Sequence, residues 1–172
     1  MASAVLWIDE IEKGFGDGGG EQDGGVTRRL LGSFLTWLPE HRDQVFVVAT
    51  ANDLFALPPE LLRKGRFEEI FYVDLPSAGE RPAILEIYLG LRNQTAADFD
   101  LVRLAEVADG FSGAEIEQAV ISAAYRALHD KTRLSTELLL TEIGERVPLS
   151  VSRREDNERR RATAAARFVP VR

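Results

Sequence analysis

Val5-Leu6-Trp7-Ile8-Asp9-Glu10 is an apolar run that ends in two adjacent carboxylates. From Ala4 to Ile8 the apolar character is continuous rather than alternating, the pattern of a strand in a parallel sheet covered on both faces. Such sheets collect their ligands outside the carboxyl ends of the strands, so this strand delivers Asp9 and Glu10 to the edge where chemistry occurs. Successive side chains leave a strand end in different directions. One acid can then hold a metal while its neighbour orients a water, two separate tasks in nucleotide hydrolysis. The same residues also fit a blander description, a buried strand followed by a solvated acidic turn.

Two further runs, Val45–Thr50 and Ile70–Val73, have the same β-branched and aromatic character. Between the first two lies Thr27–Leu38, where Leu30, Leu31, Phe34, Leu35 and Leu38 recur at helical spacing. Strand, helix, strand is the repeating unit of an α/β fold. The second strand runs into Ala51 and Asn52, and Asn52 offers an amide donor and an acceptor beside the acids of the first. Asparagine after a strand also occurs as a simple turn residue. Before the third strand, Leu57-Pro58-Pro59-Glu60-Leu61-Leu62-Arg63-Lys64-Gly65-Arg66-Phe67 places two arginines three apart at a glycine-containing turn. Planar guanidinium groups suit bidentate phosphate contact and charge that develops during phosphoryl transfer. A solvated basic turn is the alternative.

After Pro76 the pattern turns helical. Ser77-Ala-Gly-Glu80 and Ser112-Gly-Ala-Glu115 both fit the capping box, so helices are predicted from Ala78 to Leu91 and from Gly113 to His129. Leu101–Ala108 and Glu137–Val147 supply two more, and no strand signal remains. Residues 1–76 therefore read as an α/β region, 77–148 as a helical domain, and 149–172 as an exposed basic tail without apolar periodicity.

Composition narrows the function. Apolar residues at 45% and charged residues at 28% describe an ordinary globular chain. The absence of cysteine excludes disulfides and thiolate metal sites. His41 and His129 lack supporting ligands for a metal. No apolar run approaches the ~18 residues of a membrane span, and no basic-then-apolar signal opens the chain. The net charge of −7 is uneven: seven arginines against three acids in residues 152–172 leave −11 on residues 1–151. An acidic body is a poor match for nucleic-acid backbones, which makes a basic-tailed nucleic-acid adaptor the weakest reading. Gly14–Gly25 holds seven glycines in twelve residues, but Asp17, Glu21 and Asp23 would repel a triphosphate, so it reads as a surface loop. Trp7 and Trp37 are expected in the α/β core.

Taken in order and spacing from Val5 to about Val147, these segments resemble the AAA ATPases. Val5–Glu10 resembles the Walker B strand, Asn52 the sensor-1 residue, and Leu57–Phe67 the second region of homology with arginine fingers Arg63 and Arg66. Phe111-Ser112-Gly113-Ala114 is similar to the start of the lid helix that touches adenine, and Ala114 is the ordinary residue there in the AAA subgroup. Leu-Trp-Ile-Asp-Glu-Ile-Glu-Lys followed by a glycine-rich loop is closer still to the uncharacterised AAA ATPases of cyanobacteria and algal plastids.

The resemblance implies a partial parallel-sheet P-loop NTPase core followed by an all-α lid. It implies ATP and Mg²⁺ as ligands, with Asp9 on the metal, Glu10 as catalytic carboxylate, Asn52 on the lytic water and γ-phosphate, and Gly113 and Ala114 near the base. Arg63 and Arg66 would act on nucleotide bound by a neighbouring subunit, which implies a ring, usually a hexamer. The glycine-rich loop would be a pore loop that meets a threaded polypeptide, and the location cytoplasm or plastid stroma. No Gly-Lys dipeptide occurs in the 172 residues, so Gly-x-x-x-x-Gly-Lys-Ser/Thr is missing. The expectation is the C-terminal part of a remodelling ATPase domain, inactive alone, with family strands 3, 4 and 5 present. Family strand 1 belongs between 4 and 5, so the sheet should contain a gap with unpaired edges. A non-catalytic subunit that regulates a ring, or donates its arginines to one, is the competing expectation.

Overall fold

Strands β1 (Ala4–Ile8) and β2 (Val45–Ala49) pair in parallel, in register from Ala4 opposite Val45 to Ile8 opposite Ala49. They belong to a computed structural model that describes residues 4–15, 24–40, 45–63, 65–152, 158–163 and 168–170. Parallel strands need a crossover, and helices α1 (Ile11–Phe15) and α2 (Gly24–Glu40) supply it. The short α1 is an addition to the sequence reading. Phe34 of α2 stacks on Phe15 at 5.3 Å and on the half-buried Trp37 at 6.0 Å, while Ile11, Leu38 and Leu61 are buried.

The sheet differs from its expectation in one respect. Val5, Phe46 and Trp7 share a face through the parallel register, and they are 69%, 67% and 61% exposed. That face carries no cover among the described residues, and Trp7 is not a core residue. Continuous apolar character reflects what a strand is suited to pack against, and a two-stranded sheet buries only part of it.

Strand β3 (Phe71–Tyr72) forms a separate two-stranded sheet with β4 (Val169–Pro170), which sequence reading did not anticipate after Val73. A two-residue strand is too short for a periodic signal, and its pairing spans almost 100 residues. Arg161, expected as part of a solvated tail, donates from Nε to Asp74 Oδ1 at 2.9 Å. The chain divides into two compact units, Met1–Ile70 and Phe71–Arg172, and β3 groups with the second because its partner β4 lies there.

The second unit is helical: α3 (Arg81–Gly90), α4 (Leu101–Val107), α5 (Gly113–His129), α6 (Thr136–Gly144) and the short α7 (Leu149–Ser152). Leu85 and Leu89 of α3, Leu104 of α4, Ile116 and Val120 of α5, and Leu139 and Ile143 of α6 form one buried cluster. Ala119 and Ala123, also fully buried, let α3 and α6 approach α5 closely. The Ser112 capping box is complete: Ser112 N–H donates to Glu115 Oε2 at 2.8 Å, and Glu115 N–H to Ser112 Oγ at 3.3 Å. At Ser77 only the return bond forms, Ser77 N–H to Glu80 at 2.8 Å, and the helix starts at Arg81 rather than Ala78. Arg81 is buried, donating to the carbonyls of Ala105 (2.8 Å) and Pro76 (3.1 Å) and pairing with Asp109 at 3.0 Å. Gly110, at φ +77°, lies where an added Cβ would stand 2.5 Å from Ser150 Oγ.

Two substitutions rank these contributions. Ser112→Ala should lower the unfolding free energy by about 1 kcal/mol, the usual cost of a lost cap. Leu139→Ala, which empties a fully buried site, should cost about 3 kcal/mol. Urea unfolding followed by helical circular dichroism measures both, and Leu139→Ala should be the more damaging.

Candidate active site

The site begins where β1 and β2 end. Thr50, the first residue beyond β2, receives Ile11 N–H on its carbonyl at 2.9 Å and donates its own N–H to the Ile8 carbonyl at 2.9 Å. Its hydroxyl accepts Glu10 N–H at 3.0 Å and donates to Asp9 Oδ1. One side chain thus engages both neighbouring acids, which suits a hydroxyl because it can donate and accept at once.

Glu10 has φ +49°, in the left-handed region that residues with a Cβ rarely adopt. Such a conformation costs about 1–3 kcal/mol and persists only where surrounding bonds hold it. Here the Glu10 and Ile11 amides, both fixed on Thr50, hold it. The turn swings the chain from β1 into α1. Asn52 Nδ2 donates to Glu10 Oε1 at 2.7 Å, and Lys13 Nζ pairs with Glu10 Oε2. That bond, together with the charge of Glu10, holds the Lys13 ammonium above the usual lysine range.

Glu12 was not singled out by sequence reading. It is 9% exposed, its Oε1 accepts Asn52 N–H at 2.9 Å, and its Oε2 has no hydrogen-bond partner among the described residues. The only sequence signal was a third acid in Asp9-Glu10-Ile11-Glu12, and an exposed acid gives the same signal. In the sequence Thr50 reads only as the end of the run Val45–Thr50.

The structure brings Asp9, Glu10 and Asn52 together at one end of paired parallel strands. Asp9 is exposed, with no hydrogen bond on its second oxygen among the described residues. Hard carboxylate oxygen such as that of Asp9 is a donor type that Mg²⁺ accepts, and one or two carboxylates are its usual protein share. The residues present therefore fit that ion.

Arg63 and Arg66 lie on successive turns of the same unit, anchored by Leu61 at 1% exposure. Neither pairs with Asp9 or Glu10 among the described residues. Arg63 is exposed; Arg66 is half-buried and donates from Nη1 to the Leu35 carbonyl of α2. Gly113 and Ala114 lie in the first turn of α5, in the other compact unit. Most of the glycine-rich loop, residues 16–23, lies outside the described residues, as does Lys64.

Comparison with known proteins identifies the family. Residues 1–75 match the family model "ATPase family associated with various cellular activities (AAA)", and residues 98–139 match the AAA+ lid domain. The chain is similar to an uncharacterized AAA domain-containing protein ycf46 of Pyropia yezoensis, 42% identical over 165 residues, 95% of this chain and 34% of that protein. A protein of the same name from Gracilaria tenuistipitata var. liui is 47% identical over 147 residues, 85% of this chain and 30% of that one. The proteasome-activating nucleotidase of Aeropyrum pernix is 34% identical over 158 residues, 89% of this chain and 38% of that one. The chain spans about a third of the length of these relatives. No helix among the described residues is long and apolar enough to cross a membrane.

Thr50 offers a direct test of this geometry. Thr50→Ala removes two hydrogen bonds and should lower the stability of the first unit by about 1–2 kcal/mol, whereas Thr50→Ser should keep most of it. Both tryptophans, Trp7 and Trp37, lie in that unit, so unfolding followed by their emission reports on it.

Proposed function

We propose, for a chain whose residues 1–75 belong to the AAA ATPases and whose residues 98–139 belong to their lid domain, that it forms the hydrolytic edge and lid of an ATP-driven remodelling enzyme. The observation that supports this most is the 2.7 Å bond between Asn52 and Glu10, beside Asp9, at the ends of two parallel strands. In this reading Glu10 polarises the attacking water and Asn52 orients it against the γ-phosphate. Asp9 would hold Mg²⁺, which when bound neutralises charge on the phosphates. Gly113 and Ala114 would lie near the base.

Arg63 and Arg66 would stabilise charge developing on nucleotide held by a neighbouring subunit. The exposure of Arg63, which pairs with neither Asp9 nor Glu10 among the described residues, supports action across an interface. Arg66 would have to leave the Leu35 carbonyl to do so. The assembly would be a homo-oligomeric ring, a hexamer in this reading, acting on a polypeptide or other macromolecule in the cytoplasm or plastid stroma. The exposed Arg63 also fits a second reading, a subunit that donates arginines without hydrolysing ATP itself. Either way, these residues alone should neither bind nor hydrolyse ATP at micromolar concentration. Without the amides and lysine of a phosphate-binding loop, Asp9 and Glu10 present negative charge to a negative ligand.

In a polypeptide that joins these residues to a phosphate-binding loop, Glu10→Gln should retain ATP and abolish turnover. Retained turnover would remove Glu10 from its role. Arg63→Ala should leave nucleotide affinity nearly intact and cut hydrolysis by about 10³–10⁵-fold. Mixing Arg63→Ala subunits with Glu10→Gln subunits should restore part of the activity. An absence of rescue at every ratio would place Arg63 in its own subunit's site.

A further inference from the structure

Among the acids at this edge, Glu12 is the one the proposed reaction does not use. It is also the most buried. A carboxylate withdrawn from water with an acceptor left unmatched is unfavourable, and an apolar residue at that position would avoid the cost. Its position in the first turn of α1 suggests a helix cap, but its bond is not to an amide of α1. The Oε1 atom instead takes the backbone N–H of Asn52, 40 residues away on the segment that follows β2.

We propose that Glu12 is a positioning residue that fixes the backbone of Asn52 and so sets the reach of the Asn52 amide toward Glu10. This inference rests on the function proposed above and extends it by one residue. Asn52 is held at two points, its N–H on Glu12 Oε1 at 2.9 Å and its Nδ2 on Glu10 Oε1 at 2.7 Å. Glu10 is itself held through its own N–H by the Thr50 hydroxyl. With the first point removed, the asparagine keeps its chemistry and loses its aim. The Asn52 segment is otherwise a loop, and the Asp53 carbonyl and carboxylate are committed to the turn that leads into residues 54–56, accepting Ala56 N–H at 3.3 Å and Phe55 N–H at 3.0 Å.

The test uses the polypeptide carrying both this chain and its phosphate-binding loop, with turnover counted per bound nucleotide so that unfolded molecules drop out. Glu12→Ala should lower kcat by about 10–100-fold, the scale of a misplacement of about 1 Å, and leave the KM for ATP unchanged. Glu12→Gln keeps a carbonyl oxygen at the same reach and should retain most of the rate. Glu12→Asp, one methylene short, should behave like alanine and carries the test if alanine does not fold. Hydrogen exchange at the Asn52 amide, measured without nucleotide, should accelerate in Glu12→Ala and stay slow in Glu12→Gln. Full turnover per site in Glu12→Ala alongside an inactive Glu10→Gln would overturn the inference and leave the proposed function standing. Unaltered Asn52 exchange in Glu12→Ala would overturn it whatever the reaction. Turnover by Glu10→Gln would bring down both.

Discussion

The in-register parallel pairing of Ala4–Ile8 with Val45–Ala49 is the constraint on which the site depends. Because Ile8 lies opposite Ala49, the residues that follow each strand emerge side by side. Thr50 then reaches Asp9 and Glu10 with one hydroxyl, and Asn52 reaches Glu10 and Glu12 with its amide and its backbone. A slip of one residue would turn every side chain to the opposite face and dissolve all four contacts. The left-handed Glu10 is tolerated for the same reason: its own amide and that of Ile11 are bonded to Thr50, the residue that follows the partner strand.

The two units hold themselves together by different means. The helical unit has a continuous apolar core, with Leu85, Leu89, Leu104, Ile116 and Leu139 wholly buried, and polar groups closed by caps. Arg81 carries charge into that core and is satisfied by two carbonyls and Asp109, so its burial is compensated rather than left as an orphan cation. The α/β unit keeps a smaller core around Ile11, Leu38 and Leu61, while one face of its sheet exposes Val5, Trp7 and Phe46.

Local signals were read well because they are local. The complete capping box at Ser112 and the apolar spacing that follows gave α5 its bounds, Gly113–His129, and a continuous apolar run ending in two acids gave β1. At Ser77 the same box motif placed the helix start three residues early, since Glu80 closes a turn there before Arg81 begins the helix. Strand β4 and the Arg161–Asp74 pair went unread because their partners are separated by nearly the whole second unit.

The sequence by itself determined the order of elements, the acids at the end of β1 and the asparagine after β2, because each depends on residue type and short spacing. It also carried the resemblance to a family whose models match residues 1–75 and 98–139. Only the tertiary structure decided which groups meet. Thr50 as the bridge between Asp9 and Glu10, Glu12 as the buried partner of Asn52, and the unlike settings of Arg63 and Arg66 all depend on contacts across some 30–40 residues. Burial decided Glu12 and Trp7 in opposite directions, placing a carboxylate inside and an indole outside. A side chain's surroundings are set by the residues that fold against it, and its own letter in the sequence does not contain them.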